Sequence, residues 1–311
     1  MTYSKQTYTY KTVQDCQIRA DVYRLPGEEQ RPAILWIHGG GLIFGDRSML
    51  PAEQAEQYLA AGYTVVSIDY RLAPETKLYA IREDLQDACS WLRGQGAALF
   101  HIDPKRLAVI GHSAGGYLTL MAGLCVHPRP KALVSFYGYG DIAGAWYSRP
   151  DPHYSKEPAV LPEVAYRGIG GPVIAGSSFV DFSDQRWLFY MFCRQQGLWP
   201  KEVTGHDPHT EPQAFEEYCP VRHITADYPP TLLLHGDQDT DVPFELSQQM
   251  AAVLKQHQVP HRLITMEGLG HVFDVFPDGL LLQGEPMGLK HPRVAEAFEA
   301  VLAFLQAHVG C

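Results

Sequence analysis

The alternation of hydrophobic and polar positions predicts an opening hairpin followed by buried strands. Residues 8–12 and 17–23 alternate apolar and polar side chains, which predicts an antiparallel hairpin with one buried face. Beyond them the apolar positions form short continuous runs, as expected of strands covered on both faces. These runs occupy residues 33–37, 64–68, 107–110, 132–136, 231–234 and 262–266.

Helical stretches separate most of these strands. The pattern predicts helices over residues 52–61, 81–95, 116–126, 244–257 and 293–307. Alternating strands and helices favour the α/β class, with a mostly parallel central sheet of about eight strands and helices on both faces.

One long segment interrupts the alternation. About ninety residues, 138–228, separate two strands, which is far more than a connection needs. The segment is rich in proline, glycine and aromatic residues, and its one clear helix, residues 184–196, is stopped by Gly197. We therefore expect a core of residues 1–137 and 229–311 with an inserted lid, residues 138–228.

A candidate nucleophile lies in the sequence Gly-His-Ser-Ala-Gly at residues 111–115, between a predicted strand and a predicted helix. A serine at such a turn is held in a strained conformation that exposes its hydroxyl, and glycines flank it because a Cβ would collide with the neighbouring chain. Ser113 is therefore the candidate nucleophile. The pentapeptide alone is a common chance match, and a plain Gly/Ser turn is the alternative.

Acyl transfer also needs donors for the developing oxyanion. The sequence His-Gly-Gly-Gly at residues 38–41 follows a predicted strand, and its glycines leave backbone N–H groups unobstructed. We expect the N–H groups of Gly40, Gly41 and Ala114 to form the oxyanion hole. The alternative is an ordinary glycine-rich loop.

The loop after the strand at 231–234 offers three carboxylates. Asp239 is the candidate partner of the base, because four residues before Pro243 the loop still projects over the sheet edge. Asp237 is interpreted as a turn residue, and Asp241 as a helix-capping or exposed one.

His271 is the candidate base, because it follows the last predicted strand on a loop of small residues. The order Ser113, Asp239, His271 along the chain is that of α/β-hydrolases and differs from the orders in chymotrypsin and subtilisin.

Four motifs carry a resemblance to the hormone-sensitive-lipase-like branch of α/β-hydrolase carboxylesterases. They lie at residues 38–41, 69–75, 111–116 and 229–239, and the resemblance runs from about residue 33 to the C-terminus. It implies the α/β-hydrolase fold, Ser113 as nucleophile with Asp239 and His271 as partners, and short-chain carboxylic esters as substrates. Residues 69–75 then look structural, with Arg71 held by a carboxylate such as Asp84 or Asp87.

The chain departs from that branch in two respects. His112 stands where the branch usually has aspartate, which is more similar to feruloyl-esterase-like and prolyl-oligopeptidase-like hydrolases. The branch's N-terminal cap helices are absent, so a lid must come from residues 138–228. The aromatic side chains of that segment favour an apolar or aromatic substrate pocket, for which His112, Trp146 and Trp187 are candidates, although packing of the lid would also explain them.

Composition and charge limit the partners. Apolar residues make up 46% of 311, and 25 basic against 35 acidic residues give a net charge of −10 without basic clusters. Nucleic acid and stable membrane association are therefore not expected. The six cysteines show no metal-ligand spacing and are interpreted as mostly buried, reduced thiols. The pair of histidines at 206 and 209 has no evident third ligand, so neither metal nor cofactor is expected.

Targeting signals are also not evident. The first ten residues lack the apolar region of a secretion signal, and no run approaches the length of a membrane span. We expect a cytoplasmic protein, with a homodimer left open.

The sequence thus favours a serine hydrolase that cleaves small carboxylic esters. Two alternatives stay open: a peptidase or amidase of the prolyl-oligopeptidase-like type, and a ligand-binding protein on the same fold without catalysis.

Overall fold

The strands predicted along the chain all belong to one sheet. The protein is represented by a computed structural model, which describes residues 2–178, 181, 183–274 and 288–310. The strands within them are β1 (Ser4–Val13), β2 (Cys16–Arg24), β3 (Arg31–Ile37), β4 (Thr64–Ile68), β5 (Ile102–His112), β6 (Ala132–Phe136), β7 (Thr231–Gly236) and β8 (His261–Met266).

The sheet is mixed and mostly parallel. Its order is β1-β2-β4-β3-β5-β6-β7-β8. The opening hairpin pairs antiparallel, as predicted, and β2 is also antiparallel to β4. Every later pairing, from β4-β3 to β7-β8, is parallel. The carboxyl ends of the parallel strands therefore meet at one edge, where the candidate site residues follow them.

Helices cover both faces of this sheet, as predicted. Those among the described residues are α1 (Ala52–Ala60), α2 (Leu78–Trp91), α3 (Ala97–Phe100), α4 (Ala114–Cys125), α5 (Ala145–Ser148), α6 (Pro162–Ala165), α7 (Gln185–Gln196), α8 (Trp199–Thr204), α9 (Glu245–Gln256) and α10 (Pro292–His308). Short 3₁₀ turns occupy Arg47–Met49, Tyr154–Lys156, Pro212–Tyr218, Pro220–Arg222 and Gly288–Lys290, and a π turn occupies Leu92–Gly96.

Each face of the sheet carries its own hydrophobic cluster, because side chains alternate along a strand. Ile34 and Trp36 of β3 point to the cluster that α1 and α10 complete. Leu35 and Ile37 of the same strand point to the cluster that α2, α4 and α9 complete. This two-sided burial explains the continuous apolar runs in the central strands.

Strand β8 differs from the sequence prediction. Its side chains are mostly half-buried or exposed, with Arg262 and Thr265 exposed and Met266 buried. The prediction of burial on both faces is wrong here, because β8 is the last strand of the sheet and pairs with β7 alone. An edge strand has less of its surface covered by neighbouring elements.

The inserted segment packs against the helices that cover one face of the sheet. Helices α5 to α8 lie in it, and its buried side chains belong to the same cluster as α2, α4 and α9. The Trp199 ring stacks on Tyr147 at a centroid distance of 4.0 Å, and its Nε1 donates a hydrogen bond to the Gly41 carbonyl at 2.7 Å. The segment thus contacts the glycine-rich loop. Its boundaries as a separate lid stay a prediction.

The described cysteines carry free thiols. They are Cys16, Cys89, Cys125, Cys193 and Cys219, of which the second, fourth and fifth are buried. Cys311 lies outside the described residues. Every described helix is too short or too polar to cross a membrane.

Arg71 has the structural role predicted for it. Its Nε and Nη2 each donate to a different oxygen of Asp84, at 2.7 Å in both cases, and its Nη2 also donates to the Ala80 carbonyl at 2.8 Å. Asp84 is fully buried and also pairs with Lys11 at 2.8 Å. Asp87 pairs with Lys11 at 2.6 Å. The bidentate pair therefore fixes α2 to the loop after β4.

Replacing Arg71 with methionine should destabilise the fold strongly. The change leaves the buried Asp84 carboxylate with Lys11 as its remaining charged partner, and breaking a buried pair typically costs about 3–5 kcal/mol. Urea unfolding measures the loss. The matched control is Arg106→Met, because the Arg106–Asp103 pair is about a quarter exposed and exposed pairs contribute about 1 kcal/mol or less. Equal destabilisation by the two changes would contradict a structural role for Arg71.

Candidate active site

Ser113 lies at a sharp turn between β5 and α4. Strand β5 ends at His112 and α4 begins at Ala114, so Ser113 alone connects them. Its backbone has φ 55° and ψ −119°, a conformation that L-residues rarely adopt. A Cβ at Gly111 would lie 2.1 Å from the Gly115 carbonyl oxygen, and one at Gly115 would lie 2.1 Å from that of Ile37. Only glycine therefore fits at either position, as the sequence predicts.

The structure brings together the three residues chosen from the sequence. The Ser113 Oγ lies 3.0 Å from His271 Nε2, and His271 Nδ1 lies 2.6 Å from Asp239 Oδ2. The histidine therefore bridges the hydroxyl and the carboxylate through its two ring nitrogens. A serine with this connection can lose its proton to the imidazole as it attacks a carbonyl carbon.

The Asp239 carboxylate is fixed by its own loop. Its Oδ1 accepts hydrogen bonds from the backbone N–H groups of Asp241 and Val242, both at 2.9 Å. Its Oδ2 also lies 3.2 Å from Nε2 of His235, a fully buried side chain. These contacts hold Oδ2 toward His271.

The electrostatics of the pair favour the charged forms of both groups. Burial by itself raises the pKa of Asp239. The nearby His271 and His235 outweigh this effect through their charges and hydrogen bonds, and they hold the pKa of Asp239 well below its usual value. Burial by itself lowers the pKa of His271, but Asp239 and then Asp241 outweigh it, so the pKa is raised above 6.5.

This raised pKa predicts the pH dependence of hydrolysis. The base must be neutral to accept a proton, so kcat/KM should rise with pH with a midpoint above 6.5. Asp241→Asn should move the midpoint to lower pH, because it removes a negative charge that stabilises the imidazolium. A pH-rate profile of both proteins tests this. A midpoint below 6.5, or movement in the opposite direction, would contradict it.

The glycine-rich loop after β3 lies against Ser113. A Cβ at Gly39 would lie 3.2 Å from the Ser113 Cβ. The loop's carbonyls are engaged: that of Gly40 accepts from the N–H groups of Ile43 and Phe44, and that of Gly41 accepts from Trp199. Among the described residues, none accepts a hydrogen bond from the N–H of Gly40, Gly41 or Ala114. The assignment of these three donors to an oxyanion hole stays a prediction.

His112 is not presented to substrate. Its ring is buried and stacks on Phe136 at 4.4 Å. Its Nε2 accepts from the Trp36 indole at 3.2 Å, and its Nδ1 lies 3.1 Å from Asp274 Oδ2. Because an indole only donates, Nδ1 carries the hydrogen and points to the carboxylate. The expectation of a pocket residue is therefore corrected: His112 belongs to a buried network behind Ser113.

The two tryptophans proposed for the pocket differ in position. The Trp146 ring stacks on Tyr147 at 3.7 Å and its Nε1 donates to the Asp141 carbonyl at 3.1 Å. The Trp187 ring is half-buried and lies 5.7 Å from that of Phe44, which follows the glycine-rich loop. Trp187 therefore lies beside Phe44, whereas Trp146 packs against Tyr147 and lies 5.6 Å from the Arg194 guanidinium.

Sequence reasoning missed Asp241 and Arg194. The interpretation of Asp241 as a capping or exposed residue is wrong, since its side chain is 16% exposed and its Oδ2 lies 3.4 Å from His271 Nε2. Arg194, whose side chain is 1% exposed, donates to Asp241 Oδ1 at 2.5 Å. The spacing of Asp239 and Asp241 on one loop was a usable signal. No sequence signal indicated Arg194, because its two carboxylate partners lie 43 and 47 positions away along the chain.

The remaining candidates lie outside this site. Asp237 is exposed, and its Oδ1 accepts from the Gly268 N–H at 2.7 Å, as expected of a turn residue. His206 pairs with Glu211 at 3.0 Å, whereas His209 bonds to the Ser148 carbonyl. The described part of the chain contains no group of three or more side chains arranged to hold a metal ion.

Two family models match different parts of the chain. The model described as BD-FAE matches residues 20–145, which include Ser113 and the glycine-rich loop. The model of the prolyl oligopeptidase family matches residues 173–310, which include Asp239 and His271.

Curated relatives match most of this chain, although the chain covers a small part of them. It is 28% identical to the non-reducing polyketide synthase Preu6 of Preussia isomera over 88% of its own length and 14% of that protein. It is 27% identical to the non-reducing polyketide synthase pkbA of Emericella nidulans, over 88% and 13%.

Solved structures with the same architecture cover nearly all of the chain. An α/β hydrolase superfamily protein from Enterococcus faecalis superposes with a TM-score of 0.71 at 24% identity, covering 98% of this chain and 100% of its own. An esterase from Pyrobaculum calidifontis gives 0.68 at 22%, covering 100% and 86%. The esterase Est2 from Thermogutta terrifontis gives 0.64 at 20%, covering 98% and 92%.

Proposed function

The chain belongs to the α/β-hydrolase superfamily, and from that premise we propose that it hydrolyses small carboxylic esters through an acyl-enzyme on Ser113. One observation carries the proposal: the unbroken connection from Ser113 Oγ through His271 to Asp239, with distances of 3.0 and 2.6 Å. The structural neighbours that are named as esterases support an ester over other acyl compounds.

In the first half of the reaction, Ser113 Oγ attacks the ester carbonyl carbon while His271 Nε2 takes its proton. The negative charge that develops on the carbonyl oxygen is stabilised by the N–H groups of Gly40, Gly41 and Ala114. Asp239 holds the hydrogen on Nδ1 and stabilises the imidazolium. The intermediate then collapses, the bond to the leaving oxygen breaks, and Nε2 returns its proton to that oxygen.

In the second half, water replaces the alcohol. His271 Nε2 takes a proton from the water, whose oxygen attacks the acyl carbon. The bond to Ser113 Oγ breaks, the serine recovers its proton from His271, and the carboxylic acid is released. In this proposal, residues 138–228 act as a lid that places Trp187 near the site.

Hydrolysis of 4-nitrophenyl acetate and butyrate tests the proposal. We expect the rate of nitrophenolate release to saturate with substrate concentration. If deacylation is the slow step, an initial burst should release an amount of nitrophenolate equal to the amount of enzyme. The absence of turnover with both compounds and with a panel of alkyl esters would contradict the proposal. It would favour the alternative of a ligand-binding protein on a hydrolase fold.

A peptidase or amidase is the second candidate function, favoured by the match of the prolyl oligopeptidase family to residues 173–310. Esters and anilides of the same acyl group separate the two. An esterase should act on the 4-nitrophenyl ester and hardly on the 4-nitroanilide, because an amine leaves less readily than a phenolate. Comparable kcat/KM for both compounds would favour the amidase.

A further inference from the structure

The Asp241 carboxylate uses its two oxygens unequally. Its Oδ1 accepts hydrogen bonds from the Tyr154 hydroxyl at 3.0 Å, the Tyr190 hydroxyl at 2.8 Å and Arg194 Nη1 at 2.5 Å. Its Oδ2 lies 3.4 Å from His271 Nε2 and accepts no hydrogen bond from the other described residues. Three donors therefore fix the carboxylate while Oδ2 keeps lone pairs for a further donor.

In the proposed reaction, this oxygen lies close to the atom that protonates the leaving group. His271 Nε2 is also 3.0 Å from Ser113 Oγ, and in the proposed reaction it protonates the leaving oxygen. A group 3.4 Å from Nε2 is therefore next to the alcohol portion of the substrate.

The charged side chains around Asp241 Oδ2 include more carboxylates than cations. The Arg194 guanidinium is shared, because it donates to both Asp151 Oδ2 and Asp241 Oδ1 at 2.5 Å. One positive charge thus faces two carboxylates, and Asp239 adds another on the far side of His271. A substrate with a carboxylate near its ester oxygen would be repelled, whereas a cation would be attracted.

Aromatic rings complete this environment. The rings of Tyr154 and Tyr190 lie 5.9 Å apart, and that of Trp187 lies 5.7 Å from Tyr190. The Phe44 ring is 5.7 Å from Trp187 and 5.8 Å from Tyr190. Aromatic faces attract cations, and the Arg194 guanidinium already lies over the rings of Tyr154 and Tyr190, at 4.9 and 5.7 Å from their centroids.

We propose that Asp241 selects esters whose alcohol portion carries a protonated amine a few bonds from the ester oxygen. The amine N–H donates to Asp241 Oδ2. The inference rests on the proposed ester hydrolysis and adds a substrate class to it.

A pair of isosteric acetate esters tests the preference at a pH where the amine is protonated. 2-(Dimethylamino)ethyl acetate and 3-methylbutyl acetate differ in one atom, a protonated nitrogen in place of a carbon. We expect kcat/KM to favour the cationic ester by about tenfold or more, as for a hydrogen bond to a charged partner. A ratio near or below one would overturn the inference.

Variants assign the preference to Asp241. In Asp241→Asn the ratio of the two kcat/KM values should fall to about one, since the oxygen loses its charge. The matched control is Glu245→Gln, which removes an equal charge from an exposed position at the start of α9 and should keep the wild-type ratio. If Asp241→Asn keeps the wild-type ratio of the two kcat/KM values, the assignment to Asp241 is overturned.

Two measurements keep the outcomes separate. If 4-nitrophenyl acetate is hydrolysed without preference for the cationic ester, this inference fails and the proposed function stands; if no ester is hydrolysed, the proposed function fails. Should Asp241→Asn not fold, product inhibition of the wild-type protein replaces it. 2-(Dimethylamino)ethanol should then inhibit at concentrations about tenfold lower than 3-methylbutan-1-ol, and equal inhibition would overturn the inference.

Discussion

Replacing Ser113 with alanine should lower kcat for 4-nitrophenyl acetate by at least about 10⁴-fold, the loss typical of removing a catalytic nucleophile. The change deletes the oxygen that lies 3.0 Å from His271 Nε2 and leaves the rest of the site in place. Stability should hardly change, since the side chain is small and the strained backbone of the turn is retained.

Ser148→Ala provides the matched control. The Ser148 hydroxyl is also nearly buried and donates to the Gly144 carbonyl at 3.0 Å, away from His271. Its loss should leave kcat/KM within about twofold, as for changes away from a functional feature. Substantial turnover by purified Ser113→Ala, above the rate of a mock preparation, would assign the reaction to another nucleophile.

Asp239→Asn should lower kcat by about 10⁴-fold through the tautomer of His271. The asparagine oxygen can still accept from the N–H groups of Asp241 and Val242. Its amide NH₂ then faces His271 Nδ1 and places the imidazole hydrogen on Nε2. That tautomer cannot take the proton of Ser113.

Asp237→Asn tests whether the effect belongs to the position or to the charge of the loop. Asp237 is two residues earlier and exposed, and it holds the Gly268 N–H instead of a histidine. The control should keep kcat within about twofold. A comparable loss in both variants would contradict the assignment of Asp239 as the partner of His271.

The sequence predicted those features of the fold and site that depend on local pattern and chain order. The strand before Ser113, the glycines beside it and the loops that carry Asp239 and His271 are continuous in sequence. Parallel strands bring their carboxyl ends to one edge of the sheet, so the order of the motifs was sufficient to predict their proximity. Arg71 and Asp84 were likewise only 13 positions apart.

The features that the sequence did not predict depend on packing between distant segments. Arg194 on α7 is bound by Asp151 and by Asp241, and no local pattern indicates which carboxylates a buried arginine will meet. His112 was misplaced because the residue before a nucleophile can face either side of the sheet. Strand β8 was expected to be buried because its apolar pattern cannot show that it is an edge strand.

Covalent labelling measures the central claim most directly. After treatment with a fluorophosphonate, intact mass and peptide mapping should show one adduct per chain, located on Ser113, and loss of esterase activity in proportion to labelling. Ser113→Ala should remain unlabelled. Labelling at another residue with loss of activity, or full activity in protein that is labelled on Ser113, would contradict the account.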